Sequence, residues 1–311
     1  MTIQKIKVLS TNISVEKGTV KKPVPEIELN DHGVQNDAHA GKWHRQVSML
    51  GNESFIKFSK QAGRTIEFGE FAENITTEGM EIFLTSPLDR FMNQDIELEV
   101  TQIGKHCHGD SCAIYREVGN CVMPKEGIFV RTIRGGKLKA GDLLEYHPKI
   151  FKTLIITLSD RASIGEYEDR SGPRLKEHME TFFAMNNFKY SIKNVVIPDD
   201  EVHLKQLVSD ASKEYDFVFT TGGTGIGPRD ITVDVIKPLL DKEIPGIMDM
   251  IRMKYGMEKP NALISRSVAG IMHKTMVFTL PGSVKAVNEY MAEITKVLRH
   301  LVLMLYSIDS H

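Results

Sequence analysis

Hydrophobic and polar positions follow a strand-like rhythm through the first half of the chain. Residues 5–10 and 96–101 alternate apolar and polar side chains with a period of two, which is typical of strands buried on one face. Glycines at 135–136 and at 141 separate the last strands at hairpin spacing, and one helical stretch covers about residues 52–61. This pattern predicts a mostly-β barrel with helical decoration over residues 1–147.

The second half has a different rhythm, in which short strand-like segments alternate with longer amphipathic stretches. The strand-like segments cover residues 153–158, which are nearly continuously apolar, and residues 190–197, 216–220 and 275–280. The amphipathic stretches cover residues 172–185, 201–214, 231–255 and 284–305, with breaks expected at Pro238 and Pro245. Buried strands that alternate with helices predict an α/β sandwich of three layers, with helices on both faces of the sheet, over residues 153–311. A polar break at Pro148 begins the linker, which we place at residues 148–152.

Composition and charge narrow the class of protein. A length of 311 residues favours two domains, and 41% hydrophobic with 26% charged residues is typical of soluble globular proteins. The net charge of −2 argues against a general nucleic-acid binder, which is expected to be basic. We see no apolar run as long as a membrane span and no signal-peptide pattern, and therefore expect a cytoplasmic protein without membrane contact. Three cysteines do not make a disulfide framework.

A glycine loop stands out after the apolar run at 216–220. Gly222, Gly223, Gly225 and Gly227 leave the backbone free to expose its N–H groups, and a helix is expected directly after Asp230. Exposed N–H groups and a helix dipole together favour a phosphate or another anion. The loop is not a Walker A motif or a clean dinucleotide fingerprint. A connection without a ligand is the alternative.

Charged side chains follow three of the predicted strands. Asp160 and Arg161 follow the first, Asp199 follows the second, and Arg229 with Asp230 closes the glycine loop. The carboxyl ends of strands in such sheets share one edge, and carboxylates beside phosphate are what a magnesium–nucleotide site needs. The alternatives are helix capping by Asp200 and Asp230 and an ordinary surface pair between Asp160 and Arg161.

Residues 152–306 resemble the molybdopterin adenylyltransferase family of molybdenum-cofactor biosynthesis. The resemblance rests on residues 158–163 (Leu-Ser-Asp-Arg-Ala-Ser) with Gly165, Tyr167 and Asp169, and on residues 197–199, 220–225, 229–232, 245–246, 264–266 and 280–282. The match covers nearly the whole second half in order and at suitable spacing.

This resemblance implies a molybdopterin-binding fold, adenylylation of molybdopterin by Mg-ATP, and a homo-oligomer, either a trimer or two stacked trimers. It also implies a later molybdate-insertion protein as a partner. Asp199 and Asp230 match the family's catalytic acidic pair, which we expect to hold Mg²⁺ against the ATP phosphates. The expected phosphate contacts are Gly222, Gly223, Thr224, Gly225, Arg161 and Arg229, and the expected pterin contacts are Ser265, Pro281, Gly282 and Ser283. Ser159 and Asp160 are further expected cofactor-binding residues. Capping of the last helix is the alternative for Gly282 and Ser283.

The first half carries two groups of reactive side chains. His32, His39 and His44 allow a metal site, although their spacing favours hydrogen-bonded loop histidines. Cys107 is flanked by Lys105, His106 and His108, and this cationic setting would lower the pKa of its thiol, making it a candidate nucleophile or sulfur carrier. A structural metal held by Cys107, Cys112 and Cys121, or inert buried thiols, are the alternatives.

The first half is similar to the MOSC domain, a β-barrel module of molybdenum-cofactor sulfurases. The similarity rests on residues 32–39, 45–48, 73–76 and 104–107, on Phe129, and on the glycine turns at 135–136 and 141–142. It implies binding of the molybdenum cofactor and, at Cys107, sulfur transfer. The chain departs from the family pattern at residues 33–37, where Asn36 replaces a common glycine, and at the additional Cys112.

Two functions are compatible with these patterns. One is an enzyme that adenylylates molybdopterin with its second half and binds or sulfurates the cofactor with its first. The other is a non-catalytic molybdopterin or molybdenum-cofactor carrier, in which both halves are binding modules.

Overall fold

A computed structural model of the chain describes residues 4–105 and 122–308. These residues fall into two compact units, divided between Lys149 and Ile150. No helix in the described ranges is long and apolar enough to cross a membrane.

The first unit contains eleven strands and two α-helices among its described residues. The strands are β1 (Gln4–Ile13), β2 (Lys22–Val24), β3 (Glu26–Asn30), β4 (Gly33–Val34), β5 (Val47–Gly51), β6 (Ile75–Glu78), β7 (Arg90–Met92), β8 (Glu97–Ile103), β9 (Ile128–Arg134), β10 (Gly136–Lys139) and β11 (Leu143–His147). The helices are α1 (Asn52–Ala62) and α2 (Met123–Glu126), with a 3₁₀ turn at Ile82–Leu84.

A closed barrel forms because β1 pairs with both β6 and β11. The strand order is β1-β11-β7-β8-β9-β5-β6 and back to β1, with β2 added beside β1. Among the strands of residues 4–105 and 122–149, β5 and β6 are the one parallel pair, and the other pairs are antiparallel. Strands β10, β3 and β4 form a separate small sheet. The predicted mostly-β barrel with a helix at about 52–61 is therefore confirmed.

Alternation along the strands fills the barrel with branched side chains. Ile6, Val8, Leu98, Val100 and Val130 are completely buried in one cluster. A second cluster lies under α1, where Phe55 and Phe58 pack against Phe71 with ring centroids 5.2 and 5.1 Å apart. These two clusters bury the apolar faces that the period-two and helical patterns predicted.

Over its described residues, 150–308, the second unit contains six strands and six α-helices. The strands are β12 (Ile150–Leu158), β13 (Lys189–Ile197), β14 (Phe217–Thr221), β15 (Lys242–Glu243), β16 (Ala269–Met272) and β17 (Thr275–Leu280). The helices are α3 (Asp160–Ser163), α4 (Ser171–Met185), α5 (Glu201–Ala211), α6 (Thr232–Ile236), α7 (Pro245–Gly256) and α8 (Val284–Leu305), with 3₁₀ turns at Lys237–Leu239 and Pro260–Ile264.

These strands form one sheet in the order β13-β12-β14-β17-β16-β15. The first four run parallel, and β16 and β15 are antiparallel to their neighbours. Leu154 and Ile156 of β12 pack with Leu204 and Val208 of α5. Phe151 of the same strand points to the other face, where its ring lies 6.0 Å from that of Phe183 in α4. Helices therefore cover both faces, and the predicted three-layer α/β fold is confirmed.

Two predicted segments differ from the structure, and two strands were not predicted. Strand β12 begins at Ile150, so part of the assigned linker is sheet, because residues 150–152 pair with residues 189–191 of β13. The predicted helical stretch 231–255 breaks at Pro238 and Pro245 as expected, but the strand β15 lies between the two breaks. Strands β15 and β16, of two and four residues, were not predicted.

A buried carboxyl group lies at one end of the barrel. Glu73 is completely buried, and its Oε1 accepts hydrogen bonds from the amide of Gly69, from Thr76 Oγ1 at 2.9 Å and from Asn12 Nδ2 at 3.3 Å. Burial raises the pKa of this carboxyl from the ordinary 4.5 to about 7, although these hydrogen bonds oppose the shift. The folded barrel therefore keeps a proton on Glu73 in a pH range where the unfolded chain has lost it.

We predict that this proton makes the barrel less stable as the pH rises from about 4.5 to 7. Glu73→Gln keeps the Oε1 acceptor but cannot ionise, so the free energy of unfolding of the wild type relative to this variant should fall by about 2–3 kcal/mol between about pH 5 and pH 8. Urea unfolding followed by the fluorescence of Trp43, the single tryptophan of the chain, reports on this unit.

Glu67→Gln, which neutralises an exposed carboxylate six residues away, is the matched control and should keep the wild-type pH dependence. An unchanged difference between wild type and Glu73→Gln across this pH range would contradict the prediction.

Candidate functional site

Four loops of the second unit leave the sheet at one edge. Leu158 of β12 is level with Ile197 of β13, Thr157 of β12 is level with Thr221 of β14, and Thr221 is level with Leu280 of β17. Because these strands are parallel, the segments that follow them start side by side. The structure thus brings together the loops that the sequence predicted to share an edge, and adds the loop after β17.

A polar crevice of about 420 Å³ lies where three of these loops meet. Asp160, in the loop after β12, contacts the loop after β13 and the glycine loop. Its Oδ1 accepts the backbone N–H of Asp199 at 3.0 Å, and its Oδ2 lies 3.3 Å from Nη1 of Arg229. The crevice is lined by Leu158, Ser159, Asp160, Arg161, Asp199, Gly223, Gly227, Pro228, Arg229 and Asp230.

Negative charge is concentrated in this crevice. Partial burial raises the pKa of Asp199, and the neighbouring carboxylates of Asp160 and Asp230 raise it further. Arg229 opposes this shift, but its side chain is 80% exposed, so solvent screens its charge. A cation bound here would relieve the repulsion among the carboxylates.

Of the two aspartates for which helix capping was the alternative role, Asp200 caps a helix and Asp230 does not. Asp200 caps α5, since its Oδ1 accepts the backbone N–H of His203 at 2.7 Å. Asp230 does not cap α6, whose N-cap is Ile231 without a side-chain bond. Instead, Asp230 Oδ2 accepts the N–H of Gly227 at 2.8 Å and closes a turn inside the loop. Asp160 pairs with Arg229 and not with Arg161 in the described contacts.

The glycine loop, residues 222–230, holds its peptide carbonyls on one side. The carbonyl of Gly222 accepts from Thr232 Oγ1 at 2.8 Å, and that of Gly223 accepts from the N–H of Thr232 at 3.0 Å. The carbonyl of Thr224 accepts from the N–H of Arg266 at 2.9 Å, and that of Gly225 from Arg266 Nε at 2.7 Å. Four successive carbonyls are therefore satisfied by two residues.

The N–H groups of the same four peptides remain available. Within the described ranges, no acceptor lies in hydrogen-bonding geometry for the amides of residues 223–226. A peptide carbonyl and the N–H that follows it point in opposite directions, so these amides point away from Thr232 and Arg266. Successive free amides of this kind form a concave site for an anion.

The source of this positive potential differs from the prediction. We expected a helix dipole to add to the loop amides, but the helix after the loop, α6, has five residues and ends in a 3₁₀ turn. A helix this short supplies little dipole. The loop's own N–H groups therefore carry the potential.

A larger crevice of about 680 Å³ lies on the other side of the glycine loop. All four residues predicted to contact the pterin line it, namely Ser265, Pro281, Gly282 and Ser283. Ser265 Oγ accepts from the hydroxyl of Tyr290 at 3.0 Å. Ser283 also caps α8, as the alternative predicted, by accepting the N–H of Ala286 at 3.1 Å.

Both crevices share part of the glycine loop. Gly223, Gly227 and Asp230 line the polar crevice and the larger crevice alike, and Thr224 and Gly225 line the larger one. Gly222, which was predicted to contact phosphate, lines neither crevice, and its N–H donates to the carbonyl of Leu280 at 2.9 Å. Arg252, Lys259 and Tyr290 line the larger crevice and were not predicted, since single side chains outside a motif give no sequence signal.

A magnesium ion fits the donors of the polar crevice. Among the described residues, no cluster of three or more His, Cys, Asp or Glu side chains is arranged to hold a metal. Asp199 and Asp230, however, offer the one or two carboxylates that Mg²⁺ takes when phosphate oxygens and water complete its shell. The crevice thus suits a metal that arrives with a phosphate.

In the first unit, the described contacts place two of the predicted histidines in hydrogen-bonded roles. His32 Nδ1 lies 2.7 Å from Asp31, and His39 Nδ1 lies 3.5 Å from Nζ of Lys21. Lys21 forms a buried ion pair with Asp37. Cys107, Cys112 and Cys121 lie outside the described residues.

Two family models match the chain. Residues 154–300 match the family described as "Probable molybdopterin binding domain", and residues 36–145 match the family described as "MOSC domain". The predicted resemblances of both halves are thereby confirmed.

Curated relatives match the second half. A molybdopterin adenylyltransferase from Pyrococcus furiosus is 38% identical over 163 residues, which cover 49% of this chain and 92% of the relative. Gephyrin from Dictyostelium discoideum is 35% identical over 155 residues, which cover 48% of this chain and 21% of gephyrin. The crystal structure of the tungsten cofactor synthesizing protein MoaB from Pyrococcus furiosus shows 36% identity and a TM-score of 0.45, covering 51% of this chain and 98% of that one.

We predict that the glycine loop does not tolerate a side chain at position 222. Gly222 has φ of +103°, and an added Cβ would lie 2.4 Å from Leu158 O. Gly222→Ala should therefore destabilise the second unit by about 2 kcal/mol or more, from backbone strain together with this clash. Calorimetric unfolding of the full chain measures the effect, while Trp43 fluorescence reports separately on the first unit.

Gly246→Ala is the matched control, because a Cβ at this position in α7 meets no atom within 4 Å. It should be neutral or stabilise by about 0.5 kcal/mol. Equal stability of the two variants would show that the loop geometry described here is wrong.

Proposed function

The chain belongs to the molybdopterin adenylyltransferase family, and from this premise we propose that its second half transfers an adenylyl group from ATP to molybdopterin. The terminal phosphate of the pterin attacks the α-phosphorus of ATP. A new P–O bond forms as the bond between the α- and β-phosphates breaks, and pyrophosphate leaves. The observation that supports this most strongly is the pair of crevices that meet at the glycine loop and share Asp230.

We assign one reactant to each crevice. The polar crevice, with its carboxylates and Arg229, suits the phosphates of ATP together with Mg²⁺. The larger crevice combines apolar walls with the hydroxyls of Ser265 and Ser283, which suits a pterin. The shared residues Gly223, Gly227 and Asp230 then lie where the two phosphate groups have to meet.

The residues of the chain act by positioning and by charge. The free amides of residues 223–226, of which Gly223 lines both crevices and the other three line the larger one, bind phosphate oxygens. Arg229 and Arg161 supply positive charge in the polar crevice. Asp199 and Asp230 hold Mg²⁺, which when bound neutralises charge on the phosphates. Asp160 fixes the backbone of Asp199 through the 3.0 Å hydrogen bond and keeps it in register with Arg229.

For the first unit we propose that the MOSC barrel binds the molybdenum cofactor or transfers sulfur to it. His39, whose side chain is 32% exposed beside the buried Lys21–Asp37 pair, is a polar side chain of the barrel that a ligand can reach. Cys107 is the candidate sulfur carrier on the basis of its sequence neighbours Lys105, His106 and His108. We also propose a homo-oligomer, a trimer or two stacked trimers, as the family resemblance implies.

We predict that Asp199→Asn and Asp230→Asn lower adenylylation by about 100-fold or more, because each removes a carboxylate next to the transferring phosphoryl group. Asp230→Asn should spare most pterin binding, since an amide oxygen can still accept from Gly227. The measurement is pyrophosphate release that requires ATP, Mg²⁺ and molybdopterin.

The control for these variants is Asp200→Asn, which is adjacent to Asp199 but caps α5, a role that Asn fills as well as Asp. It should retain wild-type turnover. Full activity in Asp230→Asn would remove this carboxylate from the mechanism. If the wild type binds molybdopterin tightly but releases no pyrophosphate, the carrier function replaces the enzymatic one.

For the first unit we predict that Cys107→Ser loses persulfide labelling, because the thiolate favoured by its cationic neighbours is the sulfur acceptor. Cys112→Ser should keep the labelling and serves as the control. Mass spectrometry of alkylated protein after exposure to a persulfide donor measures both variants. Unchanged labelling of Cys107→Ser would rule out this cysteine as the carrier.

A further inference from the structure

Arg266 connects the start and the end of the glycine loop. Its backbone N–H donates to the carbonyl of Thr224 at 2.9 Å, its Nε to the carbonyl of Gly225 at 2.7 Å, and its Nη2 to the carbonyl of Asp230 at 2.7 Å. Arg266 lines neither crevice. It therefore touches the loop from behind, on the carbonyl side.

A second contact orients the Arg266 guanidinium. Asp234 in α6 accepts from Nη1 at 2.7 Å and from Nη2 at 2.9 Å, a bidentate pair. The Asp234 side chain is 63% exposed, so this ion pair adds little stability. Its geometry nevertheless fixes the plane of the guanidinium, and thus the direction in which Nε and Nη2 point at the loop.

The loop needs such an external constraint because of its composition. Gly222, Gly223, Gly225 and Gly227 have no Cβ to restrict their backbone angles, so peptide groups between them rotate at low cost. Rotation of the peptide between Gly225 and Ile226 would turn a carbonyl oxygen toward the crevices in place of an N–H group. An anion would then meet a partial negative charge.

We propose that Arg266 is a positioning residue that holds the peptide groups of the glycine loop with their N–H groups facing the crevices, and thereby sets the affinity of the site for polyphosphate. Thr232 performs the same task for the carbonyls of Gly222 and Gly223, so Arg266 controls the part of the loop beyond Gly223. The inference rests on the proposed function only in the identity of the ligand class, a polyphosphate.

The experiment measures binding of inorganic pyrophosphate, with Mg²⁺, to the full chain by titration calorimetry. In Arg266→Ala the dissociation constant should rise roughly 10- to 100-fold, since the side-chain bonds to Gly225 and Asp230 are lost. Arg266→Lys should lie near Arg266→Ala, because a single ammonium cannot reproduce the planar fork. Methylguanidinium should restore binding to Arg266→Ala, and methylammonium should not.

Two controls separate positioning from general stability. Arg174→Ala removes an arginine that also pairs with a carboxylate, Glu177 at 2.5 Å, and bonds to Asn288, but does not contact the loop. It should leave the dissociation constant within about twofold of the wild type. Asp234→Asn keeps an acceptor for the guanidinium and should have a smaller effect than Arg266→Ala.

Each outcome supports or overturns the inference. The inference is overturned if Arg266→Ala binds pyrophosphate like the wild type, or if Arg174→Ala loses as much affinity as Arg266→Ala. It is also overturned if methylguanidinium does not restore binding, or if the wild type does not bind pyrophosphate. Adenylylation is scored separately. A wild type that binds pyrophosphate through Arg266 but does not turn over molybdopterin leaves the positioning role intact and removes the proposed enzymatic function.

Discussion

The parallel register of β12, β13, β14 and β17 is the constraint on which the rest of the second unit depends. Strands that end at the same level release their loops at the same edge, so loops far apart in sequence must share limited space. Their polar groups then have to satisfy one another. Asp160 does so by accepting from the backbone of Asp199 and pairing with Arg229, and the polar crevice is the space left between these contacts.

The glycine loop shows how a backbone becomes a binding surface. A peptide group has a carbonyl and an N–H at opposite ends, and burial without partners is costly for either one. Here Thr232 and Arg266 satisfy the carbonyls, which leaves the N–H groups of residues 223–226 for a ligand or for water. Left-handed backbone angles at Gly222 and Gly223 make this arrangement possible close to Leu158 and Thr232. The loop is therefore organised for an anion before any ligand arrives.

The sequence predicted what local patterns encode. Buried apolar runs marked β12, β14 and β17, whereas β13 was predicted as buried and is mostly exposed. Glycines marked the loop, and shared strand ends placed Asp160, Asp199 and Asp230 together. Closure of the barrel through β1 and β11 follows from pairing of distant strands. Arg266 lies in the segment 264–266 on which the family resemblance rests. Its hydrogen bonds to Gly225 and Asp230, however, span 41 and 36 residues and follow only from the fold.

The differences from the prediction have local causes. Residues 231–255 break at Pro238 and Pro245 as expected, but the two-residue strand β15 between these prolines follows only from its pairing with β16. Asp230 precedes a helix, as a cap would, yet its carboxylate is already used by Gly227. Tyr290 and Lys259 enter the larger crevice from α8 and from the segment before a 3₁₀ turn, where single side chains give no sequence signal.

Exposure distinguishes the two kinds of ion pair in this protein. In the barrel, Lys21 and Asp37 are almost fully buried, so loss of either partner would leave an uncompensated charge, which typically costs about 3–5 kcal/mol. Such a pair holds its surroundings in one arrangement. In the second unit, Arg229 and Asp160 are 80% and 41% exposed, and a pair like this contributes about 0–1 kcal/mol. Breaking the Arg229–Asp160 ion pair therefore costs little free energy. Arg229 can then pair with the phosphate of a bound ligand in place of Asp160.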